Sequence, residues 1–296
     1  MRIGVFSDIH WSMGRVYRDV ANALSDWDFE FISWSNWELG NLHDIYNRCD
    51  AFIVNLAAID LISPILETSK ILFISHGFEE NQGRHLPSNF TYGMTSESIR
   101  PLFPSESKVF LTPNGVDETK FNYIERDGTL NKLGWCGAPQ VWYKQAHWAI
   151  EIAKHSEVPI CISSGTPCED DFNKWTSLNY DEVRIWYSGI DLLLITSIPE
   201  AKHETGPLPA FEAIVSGVPV IGTSVGNFSK IPGPKFTTIE EGIEIVKDLK
   251  SNPEKMKALA KEQYEYVMSN LTYSSFADKW REALIYVSDL KRKNNE

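Results

Sequence analysis

Apolar positions along the chain fall into short runs of strand length, separated by stretches with helical spacing. In the N-terminal half, Arg2 to Ser7, Phe29 to Trp34, Ala51 to Val54 and Ile71 to Ser75 predict strands. Helical patterns lie between them over Arg15 to Leu24, Leu42 to Cys49 and Leu61 to Glu67. Strands apolar on both faces that alternate with helices belong to a parallel sheet covered on both sides. Tyr92 to Ser96 and Lys108 to Thr112 predict the last strands of this first domain, and the Asn114-Gly115 pair a sharp turn after them. The polar segment Asn122 to Asn131 has no periodicity and reads as a linker.

The alternation then resumes. Lys132 to Cys136, Val158 to Ser163, Ile190 to Ile195 and Val218 to Gly222 predict strands. Lys144 to about His155, Asp181 to Tyr187 and Leu208 to Ser216 predict the helices among them. Pro207 and Pro209 suit a helix start, where a missing N–H costs little, and Gly217 sits where a left-handed helix stop is wanted. Ile239 to Leu249 and Glu254 to Met268 are amphipathic. Ser275 to Leu290 is a last helix with Phe276, Trp280, Leu284 and Val287 on one stripe. No strand with the pattern of its neighbours stands between Ser163 and Asp181.

Composition narrows the classes. The 296 residues suffice for two domains, and 43% hydrophobic residues with ten Trp support sizeable cores. A net charge of −12 gives no footprint for nucleic acid or an anionic membrane. No apolar run approaches the roughly twenty residues that span a bilayer. Met1 to Phe6 is too short for a signal-peptide core, so a soluble cytoplasmic protein is expected. Cys49, Cys136, Cys161 and Cys168 lack metal-ligand spacing and read as reduced thiols.

The candidate chemistry gathers around Ile190 to Val225. Strand, acidic loop, helix, turn and strand there make a βαβ unit, and such units collect ligands at strand carboxyl ends over helix N-termini. Glu204 in the loop and Glu212 in the helix have an ordinary reading, as a solvated loop charge and a first-turn dipole partner. They have a functional one as two carboxylates lining a cleft. In the first domain, Gly14 lies at the turn from the first strand into its helix, with Asp8 and His10 at the same strand end. His76 follows the fourth strand, and Gly165 ends the strand Val158 to Ser163. Trp11, Trp34 and Trp37 suit either a core or a stacking surface. Glu169-Asp170-Asp171 reads as helix-opening acids rather than a metal site.

Glu204, Leu208, Pro209, Glu212, Ala213, Gly217, Pro219, Val220 and Ile221 resemble the E-x7-E signature of retaining glycosyltransferases of the GT-B fold, family 4 in particular. Pro113-Asn114-Gly115-Val116-Asp117 followed by Phe121 is similar to that family's interdomain segment. The resemblance implies an α/β protein of two Rossmann-like doubly wound domains facing a cleft. An N-terminal acceptor domain would span residues 1–120 and a C-terminal donor domain 121–275, with a helix and tail over 276–296 crossing back to the first domain. It implies transfer of a sugar from a nucleoside-diphosphate sugar with retention, no metal and no resident cofactor. The acceptor is open, a saccharide or lipid-linked molecule being favoured.

It further implies roles residue by residue. Glu204 would hold sugar hydroxyls, Lys144 the diphosphate and His76 the sugar or acceptor. Glu212 would bind the ribose, and Gly14, Leu208, Pro209 and Gly165 would lie along the donor. One position departs from the family: Ala138 stands where an arginine meets the pyrophosphate. A lone lysine does not reproduce bidentate phosphate binding. A catalytically weak or silent sugar-nucleotide-binding subunit is therefore the alternative, and a sugar-nucleotide epimerase a third reading.

Overall fold

The structure, a computed structural model, describes residues 1–7, 12–35, 37–77, 84–164, 173–176 and 180–294. The chain divides into two compact units, Met1–Gly115 with Tyr273–Glu296, and Val116–Thr272. In the first unit the elements run β1 (Arg2–Ser7), α1 (Ser12–Ala23), β2 (Asp28–Ser33), α2 (Leu39–Arg48), β3 (Ala51–Asn55), α3 (Ile59–Ile62), β4 (Ile71–Ser75), β5 (Thr91–Met94) and β6 (Lys108–Leu111). The strands pair in parallel in the order β2-β1-β3-β4-β5-β6. β3 and β4 are buried along their whole length, as expected of strands covered on both faces.

In the second unit the elements run β7 (Leu133–Cys136), α4 (Ala146–Ser156), β8 (Ile160–Ser163), β9 (Asn173–Thr176), α5 (Tyr180–Ser188), β10 (Leu192–Ile195), α6 (Leu208–Val215), β11 (Val220–Gly222), α7 (Ile239–Ser251) and α8 (Pro253–Asn270). This sheet is also parallel, in the order β11-β10-β7-β8-β9. A last helix, α9 (Tyr273–Asn294), belongs to the first unit. Its Trp280 is buried edge-on against Tyr17, with the indole N–H donating to the Pro113 carbonyl at 3.3 Å.

Local chemistry explains the ends of several elements. Thr238 caps α7 by accepting from the Glu241 N–H, and Asn252 caps α8 by accepting from Lys255 N–H. The buried Lys70 ammonium donates to the Tyr46 and Cys49 carbonyls, which the end of α2 leaves without helical partners. Gln263 of α8 does for edge strand β11 what another strand would do. Its side-chain carbonyl accepts from Val220 N–H at 2.7 Å, and its NH₂ donates to the Val220 carbonyl at 2.7 Å. Gly217 has φ 84°, and a Cβ there would stand 2.1 Å from the Ile124 carbonyl oxygen, so the helix stop is glycine for two reasons.

Several sequence expectations are corrected. Leu61 to Glu67 is not a helix: α3 stops at Ile62, because Pro64 lacks the N–H that a further turn needs. Asn114-Gly115 makes no turn. Thr112 N–H donates to the Met94 carbonyl and Val116 N–H to the Leu271 carbonyl, and the segment between them runs irregular. Lys144 does not open α4. It ends a 3₁₀ turn over Trp142–Lys144, and Gln145, left-handed at φ 47°, resets the chain before α4 begins. Gly14 falls inside α1 rather than in the loop before it. A strand the pattern does not show, β9, pairs with β8 at the sheet edge.

Candidate functional site

The strand order of the second sheet carries a functional consequence. From β7 the chain builds outward through β8 to β9, then returns to place β10 on the other side of β7 and β11 beyond it. The loops leaving β7 and β10 therefore part in opposite directions, and the crevice at such a switch point is where open α/β sheets bind ligands. Lys144 lies in the loop after β7 and Glu204 in the loop after β10, and the structure brings their charged ends together in an ion pair. Ser197 Oγ donates to the same carboxylate at 3.4 Å.

The surroundings hold both loops still. Thr196 at the end of β10 accepts from the Trp135 indole N–H at 2.9 Å and donates to the Lys144 and Gln145 carbonyls at 2.8 and 3.0 Å. Ile198 N–H donates to the Tyr143 carbonyl at 2.8 Å. Behind Glu204, Gly226 at φ 42° presses against the chain so closely that a Cβ would meet the Thr205 carbonyl oxygen at 2.2 Å and that of Glu204 at 2.6 Å. Burial alone would lower the Lys144 ammonium, but the Glu204 carboxylate more than offsets it and holds the group above its usual range. With the pair closed, the pocket around it, lined also by Pro207 and Pro209, has a volume of about 10 Å³, room for no more than about one water.

Glu212, one turn into α6, is buried and accepts from the Tyr187 hydroxyl at 2.9 Å. Leu208 and Pro209 form the first turn of the same helix. A larger pocket of about 470 Å³ opens between α5 and the segment around Lys120 to Ile124. It shares no residue with the Lys144–Glu204 pair and touches α6 at the opposite end, at Ser216. Among the described residues no group of three or more His, Cys, Asp or Glu side chains comes together to hold a metal ion. No described helix is long and apolar enough to cross a membrane.

In the first unit, His76 follows β4. Its Nε2 lies 3.0 Å from the Tyr17 hydroxyl of α1, and the Asn114 side chain stands beside it. Burial pushes the imidazole down to about 4 against the opposing pull of Asn114, so the ring is neutral at pH 7. Trp34 and Trp37 pack on the hydrophobic core, and Trp37 meets Phe6 edge-on with centroids 5.7 Å apart, which assigns both to packing. Asp8, His10, Trp11, Gly165, Cys168 and Glu169-Asp170-Asp171 lie outside the described residues.

Sequence reasoning missed Tyr187, Tyr17, Thr196 and the aromatic pair Trp142-Tyr143. The first three are uncharged residues whose roles depend on which helices and strand ends the fold brings together. The last had a visible signal, two aromatics immediately before the candidate lysine.

No protein-family model matches the chain, and no curated protein matches it. Solved structures do. The chain is similar over 96% of its length to Anabaena HepE in complex with UDP and glucose, of which it covers 99%, with a TM-score of 0.72 and 13% identity. It is similar over 97% of its length to the catalytic domain of starch synthase IV from Arabidopsis thaliana bound to ADP and acarbose, covering 99% of that chain at a TM-score of 0.67 and 13% identity. The N-terminal domain of Candida albicans trehalose-6-phosphate phosphatase aligns over 97% of this chain and 99% of that one, with a TM-score of 0.71 and 12% identity. Likeness of this extent at such low identity establishes the fold: the chain has the GT-B fold of two Rossmann-like α/β units.

Proposed function

We propose that the protein is a glycosyltransferase that takes a sugar from a nucleoside-diphosphate sugar, retains the anomeric configuration and needs no metal ion. The observation that carries this reading is the Lys144–Glu204 pair at the switch point of the second sheet, in a chain with the fold of nucleotide-sugar enzymes. On donor binding the Lys144 ammonium exchanges part of its contact with Glu204 for the diphosphate, which opens the closed pocket. Glu204, released from full neutralisation, accepts hydrogen bonds from sugar hydroxyls and favours positive charge on the ring. Glu212, oriented by Tyr187, takes the ribose diol. The bond between the anomeric carbon and the leaving phosphate oxygen breaks as Lys144 stabilises the charge released. That oxygen takes the acceptor's proton, and the acceptor oxygen bonds to the anomeric carbon from the same face. His76, neutral and held by Tyr17, positions the sugar or the acceptor.

The second reading, a silent sugar-nucleotide-binding subunit, is favoured by Ala138 in the loop after β7, where the resemblance calls for an arginine.

The test is calorimetric titration of UDP-, GDP- and ADP-glucose, followed by assay of nucleoside-diphosphate release. Binding and release by the wild type, with release slowed roughly 10- to 150-fold in Lys144→Met and Glu204→Gln, is the expected result, the worth of a charged hydrogen bond of about 1.5–3 kcal/mol. Binding without release leaves the silent reading. No binding of any donor overturns both.

A further inference from the structure

The loops that present Lys144 and Glu204 also present three aromatic rings. Trp142 and Tyr143 precede Lys144, and His203 precedes Glu204. Tyr143 and His203 stack with centroids 4.7 Å apart and planes 28° apart. Trp142 meets each of them edge-on at 5.8 Å. The Lys144 ammonium lies 5.8 Å from the Tyr143 ring centre. The backbone fixes the arrangement on both sides: Ile198 N–H holds the Tyr143 carbonyl, and Lys202 turns through the left-handed region at φ 54° to aim His203 and Glu204 back toward the 3₁₀ turn.

Trp142 is nevertheless 64% exposed, in a molecule that buries Trp135 and Trp280 almost completely. Exposure alone would say little, since Ile185 is more exposed, but here the indole is held at its flanks by two other rings, which makes an ordered aromatic face open to a ligand. The neighbouring imidazole and phenol give the patch polar edges beside an aromatic face. A pyranose ring has the matching shape, with C–H bonds on one face and hydroxyls around the rim. Adjacency to the ion pair separates the possible occupants. Under the transferase reading, on which this inference rests, Glu204 takes the donor sugar and Lys144 the diphosphate, and the base lies beyond the ribose. The ring left to stack beside the pair is the acceptor's, which gives the second unit an acceptor contact where the resemblance implies docking on the first.

We propose that Trp142, with Tyr143 and His203, forms a stacking platform for the sugar ring of a saccharide acceptor. Saturation-transfer NMR with the methyl glycosides of glucose, galactose, mannose and N-acetylglucosamine tests it on wild type, Trp142→Ala and Trp142→Phe. UDP-glucose calorimetry on the same three proteins reports separately on the donor site. At least one glycoside should bind the wild type through its C–H protons. It should bind Trp142→Ala roughly three- to tenfold more weakly, the worth of one aromatic contact, and recover in Trp142→Phe, with UDP-glucose affinity unchanged throughout. No glycoside bound, or a glycoside signal unchanged in Trp142→Ala, overturns the platform. So does a fall in UDP-glucose affinity on losing the indole, which would give the ring to the donor. Glycosides that bind through Trp142 while UDP-glucose binds none of the three proteins would sustain a carbohydrate platform and remove the transferase reading instead.

Discussion

His76 and Lys144 occupy comparable places, each in the loop after a buried parallel strand in its own unit, and burial acts on both. The outcomes are opposite. The partners described for His76, Tyr17 and Asn114, are neutral, and desolvation wins, so its charged form is suppressed. Lys144 faces the Glu204 carboxylate in contact, and attraction wins, so its charged form is secured. The same backbone plan thus makes a neutral hydrogen-bonding edge in one unit and an ionic edge in the other. What decides is the charge of the side chain that faces the buried group, rather than the depth of the site. A neutral edge suits an uncharged acceptor, and an ionic edge suits a diphosphate.

The largest expected effect breaks the comparison from the first-unit side. Trp280 is buried to 1% exposure and buttresses Tyr17, which in turn holds His76. Trp280→Ala should cost about 3–5 kcal/mol in the first unit, the usual range for a large aromatic lost from a core. Thermal unfolding followed by limited proteolysis checks where the loss falls. Fragments of 1–115 should be digested first, with the Lys144 edge intact and UDP-glucose still bound by the second unit. Equal loss in both units would show that the neutral edge is not maintained by α9.

A change of pH sharpens the comparison with a smaller effect. The His76 imidazole titrates at about 4 in the folded protein and at about 6.5 in an open chain. Between those values the unfolded chain takes up a proton that the native protein refuses. Stability is therefore present above pH 6.5, falls as pH drops, and stops falling below pH 4. The loss is at most about 3 kcal/mol. Other groups also titrate in acid, so the measurement is the difference in denaturation midpoint between wild type and His76→Gln at pH 7, 5.5 and 4. The gap between the two should shrink as pH falls. A constant gap would mean that the imidazole is not held neutral.

Much of this architecture was legible in the sequence because it rests on local patterns. Apolar runs such as Ala51 to Val54 and Ile71 to Ser75 mark buried strands, and Gly217 marks a helix end by its missing Cβ. Glu204 and Glu212 were visible as acids bracketing the start of the Leu208 helix, but their roles, and Lys144 itself, were singled out by the resemblance to family 4. The edge strand β9 was not legible, since Asn173–Thr176 is mostly polar and only its pairing with β8 makes it a strand. Lys144 was placed at a helix start because nothing local announces that Gln145 turns left-handed. The switch point itself was invisible, because strand order is a property of pairing between segments about sixty residues apart. Tyr187 falls in the same class: a tyrosine on a helical face looks like core until the helix is docked and its hydroxyl is found on Glu212.

That contact supplies the smallest effect, and it bears on whether the ionic edge extends beyond one pair. Tyr187 is fully buried, and its ring also lies 6.3 Å from that of Phe121. Tyr187→Phe keeps the ring and removes only the hydroxyl. The cost to stability should be about 1 kcal/mol, read as a small shift in denaturation midpoint. If Glu212 holds the ribose, a carboxylate that has lost its orienting donor should bind UDP-glucose about three- to tenfold more weakly by calorimetry, with the rate of the bound complex unchanged. A matched Glu204→Gln variant should instead slow the bound complex. The pair of variants thus separates a binding carboxylate from a reacting one. Should Tyr187→Phe lower the rate while leaving donor affinity alone, Glu212 would belong with Glu204 as part of the ionic edge. The second unit would then carry two reacting carboxylates where only one is now assigned.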